Sequence, residues 1–318
     1  GQGPPSVTPG GPRPSGRPRM AIIIDDWGYE QAITGGFFSL PAPLTMAVIP
    51  NLPASQRLAR TGHERGWEVM VHLPMEPENA SLAKGRGLVR VGQSDEEIRQ
   101  LVAEDLAAVP YAVGANNHMG SRATRDGRVM DLVLAEVGAR GLFFVDSRTS
   151  PASVAARTAR ERGMPYGENY AFLDGREDVE YIREALRALV RGAQANGFAI
   201  GIGHVRPHTL TALQLELPSL LRSGVEFVPV SSLVTPDFVY LHRPASPPQE
   251  PAIARPAPSP APGPASVAPN PPAPDPAPVP TNPSEPAVAS EPPAADSSRT
   301  GDVPEPPSST SNPLPQTN

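Results

Sequence analysis

The stretch Met20-Ala-Ile-Ile-Ile-Asp25-Asp26-Trp27-Gly28 decides the fold. An apolar, β-branched run that ends in charge reads as a strand buried on both faces, as in a parallel sheet. Two carboxylates then stand at its C-terminal edge, where α/β barrels carry their chemistry. Neighbouring strand residues point to opposite faces. A sharp turn at Asp26-Trp27-Gly28 is therefore needed to bring both carboxylates to one site, and Gly28 permits it. Taken alone, the pair is also what a strand-end helix cap looks like.

Outward from this run, apolar segments alternate with helical patterns. Strands are expected at Ala21–Ile24, Leu44–Ile49, Glu68–Val71, Ala112–Asn116, Leu142–Val145, Phe198–Ile202 and Glu226–Val230. Ser94-Asp-Glu-Glu97 is a capping-box pattern, followed by Ile98, Leu101, Val102 and Leu106 at helical spacing. Val129–Val137 and Val179–Val190 share that periodicity. Gly66, Gly141 and Gly197 each precede a strand, where a helix-ending glycine belongs. About seven βα units predict an α/β barrel, complete or not, with an open doubly wound sheet as the alternative.

Composition divides the chain. Of 44 prolines, 25 follow Arg243 and six precede Met20. The segments 1–19 and 244–318 are too poor in apolar residues to offset the entropy of ordering, so a disordered arm and tail are expected around a domain at 20–243. The arm carries +3, the tail −5 and the domain −4 of the net −6. A mildly acidic domain offers no basic face for nucleic acid. Without cysteine there is neither a disulfide nor a thiolate metal site. The chain starts at Gly1, so a targeting or anchor segment is expected to have been removed, and the expected location is exported, periplasmic or in the cell envelope. The tail reads as a spacer or as a contact for envelope partners.

Three of six histidines end an expected strand: His72, His118 and His204. Asp25, Asp26 and Asp146 do the same. In an α/β barrel such edges converge on one face. Asp and His without Cys suit a borderline divalent cation such as zinc, and three protein ligands leave a position for water. His118 also fits a hydrogen-bonded core histidine, and Asp146 a cap for a helix near Ser150. Gly201 and Gly203 leave space beside the strand for a ligand or for a close backbone approach. His63 reads as a residue on a polar helix face, His208, after Pro207, as the start of a helix, and His242 as the start of the tail.

Six motifs in order carry a resemblance: Ile22-Ile-Ile-Asp-Asp-Trp-Gly28, His72-Leu-Pro-Met-Glu-Pro77, Asn116-Asn-His-Met-Gly-Ser121, Phe144-Val-Asp-Ser-Arg-Thr149, Phe172-Leu-Asp174 and Ile200-Gly-Ile-Gly-His204. Across about Arg19 to Pro236 the chain resembles the divergent polysaccharide deacetylases, a branch of the NodB-homology carbohydrate esterases. The resemblance implies a distorted (β/α)7 barrel that hydrolyses acetyl groups on cell-wall or related glycans with a divalent metal, most simply Zn2+. It implies Asp25 as general base, Asp26 and His72 as metal ligands and His204 as general acid. The wider family's second ligand histidine falls at Glu76, so His118 is inferred to complete the site, with Glu76 as its competitor. Asn117, Asp146 and Arg148 are expected in substrate or supporting contacts. Glu168-Asn-Tyr-Ala-Phe172 lacks the Arg-Asp pair usual before Phe-Leu-Asp. A glycan-binding barrel without turnover is the alternative function.

Overall fold

The computed structural model describes residues 16–83 and 87–241. The expectations for the tail, for most of the arm and for His242 lie outside these residues. The elements follow in order as β1 (Arg19–Trp27), α1 (Thr34–Phe38), β2 (Thr45–Val48), α2 (Ser55–Glu64), β3 (Glu68–Met75), α3 (Asp95–Ala108), β4 (Ala112–Met119), α4 (Gly127–Ala139) and β5 (Phe143–Asp146). Then come α5 (Ala155–Glu161), β6 (Tyr166–Glu168), β7 (Ala171–Phe172), α6 (Val179–Asn196), β8 (Phe198–His204), α7 (Pro207–Leu220) and β9 (Glu226–Phe227). No helix among the described residues is long and apolar enough to cross a membrane.

Every ladder between these strands is parallel, in the order β6-β5-β4-β3-β2-β1-β8-β7, with β9 beside the start of β1. That order is the circular sequence of a curled barrel and excludes the doubly wound alternative. The two end strands, β6 and β7, are joined through Asn169-Tyr170. The Asn169 N–H donates to Asp146 O on β5 at 2.9 Å, and the next N–H, of Tyr170, donates to Ile200 O on β8 at 2.7 Å. The sheet thus curls until its ends come within one peptide of each other. The covalent chain bridges a gap that no ladder spans, leaving a parallel half-barrel clad in helices. The unusual Glu168–Phe172 segment is this bridge.

β1 lies at the centre of the sheet, and Met20–Ile24 are fully buried. Each of its three isoleucines stabilises the fold by roughly 1.5–3 kcal/mol relative to an exposed side chain. The capping box forms at Ser94 and Glu97. Gly66, Gly141 and Gly197 have φ of 80°, 69° and 83°, the left-handed ending that glycine adopts without steric cost. Three expectations change. β6 and β7 are new, because pairs of two or three residues show no periodicity. The last strand contracts to Glu226–Phe227, since Pro229 cannot donate to a ladder.

The third change concerns Gly201. A Cβ there would lie 2.6 Å from Leu189 and 3.3 Å from Leu173, so the glycine admits α6 and the chain after β7, not a ligand. Gly201→Ala is expected to cost about 1–3 kcal/mol through overpacking, read as a lower denaturant midpoint. An unchanged midpoint would contradict that packing.

Candidate metal centre

β1 and β2 pair at Ile24–Met46 and resume at Trp27–Val48. Three steps on β1 face two on β2, so β1 carries one extra residue, a β-bulge. Asp26 takes it up at φ 69°, a left-handed conformation that Asp tolerates better than most residues. In a regular strand Asp25 and Asp26 would face opposite sides. Here Asp25 Oδ2 and Asp26 Oδ1 lie 3.6 and 3.3 Å from the same atom, His72 Nε2. The turn needed to unite the carboxylates is thus made by Asp26 itself. Gly28 follows at φ 154°, where a Cβ would meet Leu52 at 2.6 Å.

β3 and β4 deliver the histidines. His118 Nδ1 lies 3.1 Å from His72 Nε2 and 3.1 Å from Asp26 Oδ1. One ligand atom from each of Asp26, His72 and His118 lies within 4.8 Å of the others. Asp26 Oδ1 is buried and, although close to both rings, has no hydrogen-bond partner. Burial pushes the Asp26 carboxyl up, but the two adjacent histidines outweigh it and hold it well below the usual range. A buried oxygen and two ring nitrogens converging without hydrogen bonds to that oxygen form a donor set that fits a divalent cation.

Asn116 fixes the protonation of this group. His72 Nδ1 donates to Asn116 Oδ1 at 2.8 Å, and Asn116 Nδ2 donates to Asp25 Oδ1 at 2.9 Å. In the neutral ring this fixes the tautomer, so that Nε2 carries the lone pair toward the site, although burial is outweighed by Asp25 and Asp26, which favour the protonated ring. Asp25 keeps Oδ2 for other work. Burial raises the Asp25 carboxyl above the usual range, although His72 opposes the shift.

β8 lies on the other side of β1 and pairs His204 with Asp25. Behind His204 stands Asp174. Its Oδ1 accepts from His204 Nδ1 at 2.8 Å, and its Oδ2 accepts from the His204 backbone N–H and the Thr209 hydroxyl, each at 2.7 Å. Burial disfavours a charged His204, but the Asp174 carboxylate outweighs it and pushes the imidazole up to about 9.

The other expected residues lie elsewhere. Glu76 accepts from the Val91 N–H at 2.8 Å and pairs with Arg122 at 3.2 Å, so its carboxylate anchors neighbouring loops outside the Asp26, His72 and His118 group. Asn117 points to the opposite face of β4, where it accepts from the Ser147 N–H and donates to Met119 O. Asp146 does not cap a helix, since α5 starts only at Ala155. It accepts from the Arg148 N–H at 2.7 Å, and burial raises its carboxyl. Arg148 is in the left-handed region at φ 59°, with a buried Nε that has no partner. His63 stays on the exposed face of α2, stacked on Tyr111, and His208 lies in the first turn of α7.

Sequence reasoning missed Asn116 and Asp174. Period two would have found Asn116, because residues 116 and 118 share a face and 117 does not. Asp174 ends a quoted motif but follows a strand too short to recognise.

Against known proteins, the model of the divergent polysaccharide deacetylases matches residues 22–234. The chain belongs to that family. It is 34% identical to an uncharacterized protein of Haemophilus influenzae over 202 residues, covering 64% of this chain and 72% of the relative. It is 33% identical to the uncharacterized protein YibQ of Escherichia coli K12 over 216 residues, covering 68% and 67%. A crystal structure of an uncharacterized Agrobacterium tumefaciens C58 protein superposes with a TM-score of 0.66 at 25% identity, covering 70% of this chain and 92% of that one.

The His204–Asp174 pair yields a prediction for this family member. A histidine whose folded pKa is raised contributes stability that is full below its unfolded value, near 6.5, and is lost as pH rises through about 9. In Asp174→Asn the His204 ring should titrate well below 9 by NMR. An unchanged titration would show that Asp174 does not hold the proton.

Proposed function

We propose that the chain is a metal-dependent deacetylase acting on acetylated glycans, N-acetyl or O-acetyl, of the cell envelope. The observation that carries the reading is the meeting of Asp26, His72 and His118, from three strands, beside Asp25 at one edge of the sheet. Family membership supports the same class of substrate. Asp26, His72 and His118 would hold the cation, and the N2O donor set suits zinc. When bound, such an ion supplies Lewis acidity toward an acetyl carbonyl and lowers the pKa of water, effects worth several kcal/mol.

The chain's own groups supply the proton transfers. Asp25 is the base. Asn116 occupies its Oδ1, Oδ2 remains to take a proton from water, and burial strengthens it for that task. His204 is the acid. Asp174 holds Nδ1, leaving Nε2 to donate to the departing amine or alkoxide. With the imidazole raised to about 9, it is protonated at neutral pH. Burial makes the Asp25 carboxylate a stronger base, and Asp174 keeps the proton on His204, which suits the two groups to the roles of base and acid. An exported, periplasmic or envelope location is part of the proposal, and a glycan class of substrate together with the Pro-rich segments supports it.

The test measures zinc content and acetate released from N-acetylated chitooligosaccharides and peptidoglycan. Asp25→Asn should keep zinc and lose about 10²–10⁴-fold in rate, the usual contribution of a general base. His118→Ala should lose zinc. A native chain that takes up no zinc and releases no acetate sinks the proposal, and glycan binding in that case would mark a binding barrel.

A further inference from the structure

A cleft of about 870 Å³ opens beside the metal centre. His118 and Met119 line it at one side and Asp105 of α3 at the other. The volume is in the range of ligand sites, roughly 300–1,000 Å³. Asp105 is nearly inaccessible, at 1% exposure. Its Oδ1 accepts from Asn51 Nδ2 at 2.9 Å, while its buried Oδ2 has no partner. Burial and the neighbouring Glu104 push its carboxyl up to about 7. Asn51 is itself held at φ 60°.

The Asn51 bond ties α3 to the loop after β2, but Oδ2 makes no bond within the fold. A buried carboxylate oxygen without a donor destabilises a fold by about 1–3 kcal/mol or more, and a left-handed Asn adds strain. No Lys or Arg is among the described residues lining the cleft. At its rim stands Tyr29, 54% exposed, and apolar Leu52 and Leu88 complete the wall. A carboxylate, an amide and a bare aromatic ring match a neutral, polyhydroxylated ring. Hydroxyls donate to the carboxylate, and the C–H face lies on the aromatic.

We infer that the cleft between His118 and Asp105 is a sugar subsite, in which Asp105 accepts from a ring hydroxyl while the neighbouring acetylated unit reaches the metal centre. The inference rests on the deacetylase reading for what happens next to it, but binding can be tested apart from turnover. The probe is tetra-N-acetylchitotetraose, titrated calorimetrically into the full chain without metal and followed kinetically with zinc.

Asp105→Asn should weaken binding at least tenfold and raise KM to match, with kcat and zinc affinity unchanged. It should still fold, because the new amide oxygen can accept from Asn51 Nδ2 as the carboxylate does. Tyr29→Ala, at an exposed position, should weaken binding at least threefold and decides the matter if Asp105→Asn does not fold. Native-like binding and KM in the folded variants overturn the subsite, as does a native chain that does not bind the tetrasaccharide. If acetate is still released in those cases, the deacetylase reading stands without the subsite. Binding that Asp105→Asn weakens, in a chain that releases no acetate, keeps the subsite and removes the deacetylase reading.

Discussion

The site depends on one backbone constraint, the extra residue at Asp26. Without the bulge the two aspartates would face opposite sides of β1, and only one could meet His72. The conformation is held from both sides. Ahead of it, Met20–Ile24 are locked between the half-barrel interior and the helices. Behind it, Trp27 is buried against Phe37, Phe38 and Trp67, with ring centroids 5.8, 5.1 and 5.9 Å away, and its carbonyl accepts from the Ile49 N–H at 2.8 Å. Core packing thus fixes a left-handed residue that local preference alone would not hold. The left-handed conformation recurs at Met119, one residue after His118, and at Arg148, two after Asp146.

A second layer of buried polar residues fixes proton positions around this geometry. Asn116 joins His72 to Asp25 through one amide, and Asp174 joins His204 to α7 through Thr209. Each partner assigns one ring nitrogen and leaves the other free to act. These bonds form where solvent is excluded, so their electrostatic effect is larger than in water. The placement of Asp25 and His204 on adjacent strands follows from the parallel register that pairs them.

Much of this was legible in the sequence, for identifiable reasons. β1, β3, β4, β5 and β8 announce themselves because strands buried on both faces must be apolar, and their functional residues begin where the apolar run stops. Three histidines and three aspartates at such edges pointed to one face, and of these Asp26, His72 and His118 meet as a group. Closure of the half-barrel was not legible, because Asn169-Tyr170 acts through two backbone N–H groups that any residue would carry. Asn117 was legible only as part of its motif, and alternation along β4 turns it to the face where it holds the Ser147 N–H. Glu76 was the competing ligand by family position, yet the Val91 N–H and Arg122 engage its carboxylate, and neither contact has a local signal.

The central claim is that the bulge places Asp26 with His72 and His118 as a single set of ligands. Anomalous diffraction at the zinc edge from crystals of the zinc-loaded chain tests it most directly. The account predicts one strong peak within bonding distance of Asp26, His72 Nε2 and His118 Nδ1, with Glu76 still on Val91 and Arg122. A peak ligated by Glu76 in place of His118, or one away from Asp26, would contradict it.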